Sequence, residues 1–321
     1  MRAIQVSRHG GPEVLEIVEL PDPTIGPDQV RVAVDAIGVN FIDTYFRSGA
    51  YPRELPFIPG SEGTGLVDEI GSNITGISVG DRVAWANAEG SYATKVAVDA
   101  DKIVPVPEGV EVPVAASALL QGMTAHYLLN SVYRPQQGES ILVHAGAGGV
   151  GLILTQIAVA HGIRVITTVS TDEKEALSRA AGAAEVLRYG DDLAEQVRAL
   201  TDGEGVSAVY DGVGAATFEA SLASLRIRGT LALFGASSGK VPPFDPQRLN
   251  QAGSLFLTRP TLVHYTRDRS ELLWRAGEVF AAIVDGSLRI RVGAQYALTE
   301  ATRAHTDLEA RATSGSIVLR P

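Results

Sequence analysis

"ILVHAGAGGVGLILTQIAVAHG", residues 141–162, is the stretch on which the fold turns. A strand-like apolar run ends in a cluster of glycines, and a helix-like run follows at once. Gly146, Gly148 and Gly151 have the spacing G-x-G-x-x-G. Each glycine has a physical reason there: a tight turn, close backbone approach to a pyrophosphate, and close packing of helix on strand. The helix start would present unpaired N–H groups and its positive dipole end to phosphates. Taken alone, the motif also fits a tight strand-to-helix turn with no ligand, so its surroundings must decide.

Those surroundings are a repeated strand–helix array. "SILVHAG", "RVITTVS", "AEVLRYG", "VSAVYDGVG", "TLALFGAS" and "SLFLTRP" read as short strands, and "DEKEALSRAAG" and "DLAEQVRALTDG" as helices between them. Strand then helix, repeated, predicts a parallel sheet covered on both faces. A dinucleotide site is therefore expected at the glycines.

Before about residue 120 the grammar differs. "VRVAVDAIGVN" and "VDEIGS" are β-branched runs, separated by the turn-rich stretches "LPDPTIGPD", "PFIPGSEGTG" and "VGDRVAWANAEG". That pattern predicts a compact, irregular β-domain. After about residue 260 come an amphipathic helix, "ELLWRAGEVFAAIVDG", a strand-like "GAQYAL", a further helix in "TEATRAHTDLEARA" and a terminal "SIVLRP".

Composition narrows the function classes. With 321 residues, two domains are the natural expectation. The formal net charge of −10 argues against a primary nucleic-acid role. No apolar tract is long enough for a bilayer, and no cationic leader precedes an apolar segment, so a cytoplasmic protein is expected. The absence of cysteine removes disulfides, thiol nucleophiles and cysteine-containing zinc sites.

The end of "RVITTVS" bears on which dinucleotide binds. NAD sites usually place an acid there for the ribose 2′-hydroxyl, whereas this strand ends in Ser170. Ser170 and Glu173 also have capping-box spacing, the structural explanation for both. Lys174 in the first helical turn opposes the helix dipole, a cost that a 2′-phosphate would offset. NADPH is expected over NADH, with Asp172 as the contrary sign.

A second cluster, "GVNFIDTYFRSGAYP", gathers Asn40, Asp43, Tyr45, Arg47 and Tyr51. Phenols can donate a hydrogen bond while flanking a flat ring, and an amide can hold a ligand hydroxyl. The same residues can equally pack a loop, with Asp43 capping a helix or pairing with Arg47.

With "PGSEGTGLV", "LLQGMTAHYLL", "HAGAGGVGLI", "VYDGVG", "LFGASSG", "SLFLTRP" and "RATSGS", these motifs run through the whole chain in order. The chain resembles the zinc-free, zeta-crystallin-like NADPH:quinone oxidoreductases of the medium-chain dehydrogenase/reductase superfamily. The resemblance implies an α/β protein with a GroES-like, β-rich catalytic domain over residues 1–120, completed by 263–321. A Rossmann domain, a doubly wound parallel sheet, would occupy 121–262. It implies a homodimer, paired through strands near "SLFLTRP". Zinc-dependent relatives place cysteine near Asn40 and histidine at Ser61, and no metal is expected here.

The resemblance also implies residue roles. Asn40, Tyr45, Tyr51 and Arg259 would serve catalysis, with Asn40 also touching cofactor. Thr124, Leu257 and Thr258 would lie at the nicotinamide end. Ala147, Gly148, Gly149 and Gly151 would meet or shape the phosphate site. Ser170, Lys174 and Tyr189 would surround the 2′-phosphate, and Gly214, Gly235, Ser237 and Arg311 would make further cofactor contacts. Each has an ordinary structural explanation: Ser237 a turn, Arg259 a strand-end ion pair, Arg311 a cation at a helix C-terminus. The expected activity is NADPH-dependent quinone reduction. Reduction of an enone or enoyl double bond is the enzymatic alternative. An NADPH-binding structural or RNA-binding protein is the alternative of another class, and a zinc alcohol dehydrogenase the least favoured.

Overall fold

A computed structural model describes residues 1–321. The chain divides into two compact units, one comprising Met1–Met123 and Thr266–Pro321, the other Thr124–Tyr265.

The first unit is largely β. A hairpin pairs β1 (Arg2–Val6) with β2 (Leu15–Glu19). The long strand β3 (Gln29–Val39) has alternate valines buried and runs into helix α1 (Phe41–Arg47). Then follow β4 (Glu62–Ile70), β5 (Arg82–Ala86), β6 (Lys95–Asp99) and β7 (Ile103–Pro105), before helix α2 (Val112–Tyr127) begins. "VGDRVAWANAEG", expected as turn, contains β5. Its core residues Val83 and Trp85 are buried, and Trp85 Nε1 donates to Ser91 Oγ at 2.9 Å.

In the second unit β8 (Ser140–Val143) leads into α3 (Gly149–Ala160), β9 (Arg164–Val169) into α4 (Asp172–Ala180), and β10 (Glu185–Arg188) into α5 (Leu193–Ala199). The second half adds β11 (Val206–Asp211), α6 (Phe218–Ala223), β12 (Leu225–Leu233), α7 (Gln247–Gln251) and β13 (Phe256–Thr258). The strands form one six-stranded, wholly parallel sheet in the order β10-β9-β8-β11-β12-β13. This is the doubly wound order, with its switch point between β8 and β11, where such sheets bind ligands beyond the strands' carboxyl ends.

The last segment returns to the first unit through α8 (Arg269–Val284), β14 (Val292–Ala297), α9 (Ala301–Glu309) and β15 (Ser316–Arg320). β15 pairs with β3, giving the path β14-β15-β3-β4-β5-β7, with β6 also on β3.

Gly38 lies where β3 meets both β4 and β15 and where α2 packs closest. A β-carbon there would lie 2.4 Å from the Ala116 carbonyl oxygen and 2.5 Å from Glu62 Oε2. Gly38→Ala is expected to lower stability by about 1–3 kcal/mol through overpacking. An unchanged urea midpoint would show that this contact relaxes freely.

Candidate functional site

In the second unit the glycine turn has the shape its spacing predicts. A β-carbon on Gly146 would come within 2.5 Å of Thr167 Cβ, and one on Gly151 within 2.3 Å of the Ala145 carbonyl oxygen. These two positions let helix and strands close up. Gly148 differs: its nearest such contact is 3.2 Å away, and it is the N-cap of α3 with no side-chain cap. Backbone N–H groups at the helix start, an open approach over Gly148 and the helix dipole together suit an anionic group. Ala147 is buried in the turn, and Gly149 is the first residue of α3.

One strand over, at the end of β9, the helix cap differs from the expectation. Thr171, not Ser170, is the N-cap of α4, its hydroxyl accepting from the Lys174 N–H at 3.3 Å. Ser170 therefore stays outside the helix, exposed, with its hydroxyl 3.5 Å from Lys174 Nζ. Tyr189, just past β10, accepts from the Ala145 N–H at 3.0 Å and stacks against His144. Three adjacent strand ends thus gather Ala145, Ser170, Lys174 and Tyr189. Asp172 forms an ion pair with Arg188 at 2.7 Å.

Beyond the switch point, Asp211 closes β11. Its Oδ1 accepts from the Val213 and Gly214 N–H groups, and Oδ2 from Thr217 and Ser221 hydroxyls. Gly214 has φ +93°, and Gly235 packs on Gly212, where a β-carbon would sit 2.3 Å from the carbonyl oxygen. The Ser237 N–H donates to Gly212 at 3.2 Å. Leu257 and Thr258 lie on the edge strand β13, and the Arg259 guanidinium donates to the Leu233 carbonyl at 2.9 Å. Thr124, on α2, is buried.

The first unit holds the aromatic cluster. Tyr45 on α1 and Tyr51 beyond it have ring centroids 5.1 Å apart, both rings half-buried, and the Tyr51 N–H donates to the Tyr45 carbonyl. Asn40 is buried at the mouth of α1. Its Nδ2 donates to Glu62 Oε2 at 2.7 Å, and its Oδ1 accepts from Gln121 Nε2 at 3.1 Å. Gln121 in turn accepts from Ser316 Oγ at 2.7 Å. One N–H of the Asn40 amide remains beyond these bonds.

Asp43 caps α1 by accepting from the Asn40 N–H at 2.9 Å. It does not pair with Arg47, which reaches instead for Glu309 at 2.8 Å and His305 Nδ1 at 3.0 Å. Because a guanidinium only donates, His305 Nδ1 accepts and Nε2 carries the proton. Nε2 then donates to the Tyr92 hydroxyl at 2.9 Å, which donates to Asp43 at 3.1 Å. Burial, with Arg47 beside it, holds the His305 imidazole down at about 3, so it stays neutral. Arg311 follows α9 in the left-handed region, with φ +57°.

Residues 26–108 match the family described as "Alcohol dehydrogenase GroES-like domain", and residues 149–272 match "Zinc-binding dehydrogenase". A quinone oxidoreductase of Pseudomonas aeruginosa is 46% identical, covering 100% of this chain and 99% of that protein. The chain belongs to the quinone oxidoreductase family of the medium-chain dehydrogenase/reductase superfamily. A mycobacterial protein solved with NADPH superposes at TM-score 0.99 with 59% identity, covering 100% of both chains. The Escherichia coli quinone oxidoreductase complexed with NADPH gives 0.98 at 42%, again over 100% of both. A 2-haloacrylate reductase of a Burkholderia species is 40% identical over 99% of this chain and 98% of that protein.

Four features around these clusters carry little local sequence signal: the burial of Glu62, and the contacts of Gln121, His305 and Arg188. Only Arg188 left a trace, as a cation directly before Tyr189 in "VLRYG". No set of three or more His, Asp or Glu side chains is placed to hold a metal ion.

Burial pushes Glu62 up to about 8 and Asp43 up to about 6. A carboxyl with a raised pKa when folded contributes stability at low pH and loses it as pH rises, for Glu62 up to about 8. Glu62→Gln should therefore lose less stability than the parent between about pH 5 and 9. Urea midpoints across that range measure it, and parallel profiles would remove Glu62 as the source.

Proposed function

We propose that this chain is an NADPH-dependent quinone reductase that works without a metal, as a cytoplasmic homodimer. The observation that carries the cofactor reading is Lys174 beside Ser170 at the carboxyl end of β9, in place of a strand-end acid. It stands in a chain that aligns end to end with quinone oxidoreductases, some of whose structures hold NADPH.

When bound, NADPH supplies the hydride. The chain's own residues then have three tasks. The uncapped α3 N-terminus, with Gly148 and Gly149, holds the pyrophosphate, while Ser170, Lys174 and Tyr189 hold the 2′-phosphate. Gly214, Gly235, Ser237 and Arg311 make further contacts to the cofactor. Thr124, with the backbone of Leu257 and Thr258, orients the nicotinamide. Tyr45 and Tyr51 present two phenols on one aromatic surface, suited to flank a quinone ring and donate to the oxygen that gains charge. Asn40, fixed between Glu62 and Gln121, keeps one N–H for a ribose hydroxyl or substrate oxygen, and Arg259 adds a cation. A quinone accepts hydride readily, so positioning and hydrogen bonding are sufficient and no Lewis acid is needed. At the positions where zinc-dependent relatives carry cysteine and histidine, this chain has Asn40 and Ser61.

Similarity to 2-haloacrylate reductase supports a second reading, reduction of an activated double bond. NADPH oxidation with benzoquinone, a larger ring quinone and an enoyl thioester separates the two. Rapid oxidation with a quinone, weak use of NADH and insensitivity to chelator are expected. Tyr45→Phe and Tyr51→Phe should each lower kcat/KM for the quinone by about tenfold, the loss of one transition-state hydrogen bond. Turnover with the thioester alone would move the function to double-bond reduction.

The homodimer reading rests on β13, the edge of the six-stranded sheet. Phe256 on that edge is 61% exposed, and Ile227, close to Gly253, is 74% exposed. A second copy would cover this apolar edge. Sedimentation at micromolar concentration should give twice the chain mass of 33.7 kDa, and Phe256→Lys should halve it. A monomeric parent would overturn the assignment.

A further inference from the structure

The turn that gathers Ser170 and Lys174 is also crowded with acid. Asp172, Glu173 and Glu175 all lie in the first turn of α4. Carboxylates there stabilise a helix, but the same charges repel an anionic ligand at the helix start. Asp172 is the most awkward of them, because it is 97% exposed and only two residues from Ser170.

Arg188 answers this charge from the neighbouring strand. β10 runs parallel to β9 with Arg188 level with Val169, the residue before Ser170. From there its Nη2 lies 2.7 Å from Asp172 Oδ1 and 2.7 Å from Glu175 Oε2. Glu175 has a second cation, Arg179, at 2.8 Å. For Asp172, Arg188 is the cation within ion-pair distance. Counted as charges, the three acids of this turn are balanced by Lys174, Arg179 and Arg188, of which Arg179 and Arg188 make the ion pairs just described. Loss of Arg188 leaves a net negative charge beside the place where a phosphate must sit.

We propose that Arg188 is a specificity-determining residue that acts through Asp172, cancelling its field so that the Ser170–Lys174–Tyr189 corner accepts a 2′-phosphate. The inference rests on the NADPH reading given above. It gives Asp172 a different meaning from the one its position suggests. An acid near the end of this strand favours a free ribose 2′-hydroxyl, and pairing with Arg188 takes that influence away. Arg188 is assigned to act through the carboxylates because its Nη2 is committed to Asp172 and Glu175, while its Nη1 is buried with no hydrogen-bond partner.

The test uses the full chain and two small probes, 2′,5′-ADP and 5′-AMP, bound by calorimetry at low and moderate salt. KM values for NADPH and NADH accompany them. Arg188→Gln should weaken 2′,5′-ADP and raise KM for NADPH by about tenfold, the scale of one uncompensated charge near a partly solvated anion. Binding of 5′-AMP and KM for NADH should change by less than about twofold on the same scale. The loss should shrink as salt rises, since the charges are exposed. Adding Asp172→Asn to Arg188→Gln should restore most of the 2′,5′-ADP affinity, a coupling that a double-mutant cycle reads directly.

A loss that Asp172→Asn does not rescue would overturn the proposal, pointing to direct phosphate contact or to a structural role. Equal weakening of both probes, or no weakening of either, would overturn it too. A parent protein that binds 2′,5′-ADP no better than 5′-AMP would instead overturn the underlying NADPH reading. The thermal midpoint of each variant serves as the folding control, and exposed ion pairs of this kind contribute only about 0–1 kcal/mol to stability.

Discussion

The second unit depends on one close approach of backbone to backbone. At Gly151 the helix α3 comes so near the turn after β8 that a single added carbon would meet the Ala145 carbonyl at 2.3 Å. That constraint fixes where the helix begins, and so where its unpaired N–H groups point. Because β8 borders the switch point of the sheet, the same constraint puts them at the ends of the central strands. Gly148 is less crowded, its nearest such contact lying 3.2 Å away, and on the proposed reading that opening admits the cofactor. The glycines of one motif therefore divide between closing the fold and leaving a surface for chemistry.

In the first unit the corresponding constraint is polar. Buried groups must be hydrogen-bonded, and here the partners come from distant parts of the chain. Gln121 joins Asn40 to Ser316 on β15, and His305 on α9 joins Arg47 to Tyr92 and Asp43. These bonds explain why the final segment belongs with the first residues. Without it, Arg47 would be a buried charge lacking both Glu309 and His305, a costly state. They also make α1 a rigid mount for Tyr45 and Tyr51. The donor order along Arg47, His305, Tyr92 and Asp43 is fixed at one end by a guanidinium that cannot accept, so the array holds position rather than conducting protons outward.

What the sequence disclosed follows from how local each signal is. The glycine turn, the strand–helix alternation and the Ser170–Lys174 pair depend on neighbours within a few residues, and all could be read. Ser170 and Thr171 are both good caps one residue apart, and only the backbone decides that Thr171 caps α4. β5 was hidden because Gly80, Asp81 and the Asn87–Gly90 segment surround a five-residue strand with turn signals. The junction between the units lies inside the continuous helix α2, where no glycine or proline cluster marks it. Arg188 and Asp172 are sixteen positions apart, and their contact exists only because β10 lies next to β9.

These two kinds of polar contact have different consequences. Glu62, Asp43, Arg47 and His305 are buried, so changing any one leaves a partner unsatisfied away from water and costs fold stability. The charges around Ser170 are largely exposed, so changing one alters the local field with little effect on the fold. Cofactor preference can therefore vary here without disturbing the framework that positions the tyrosines. An acid three residues past the end of β9 is consequently a poor guide to the cofactor until its partner on β10 is known. On the proposed reading, charge balance across neighbouring strand ends, rather than any single residue at one of them, sets what this corner binds.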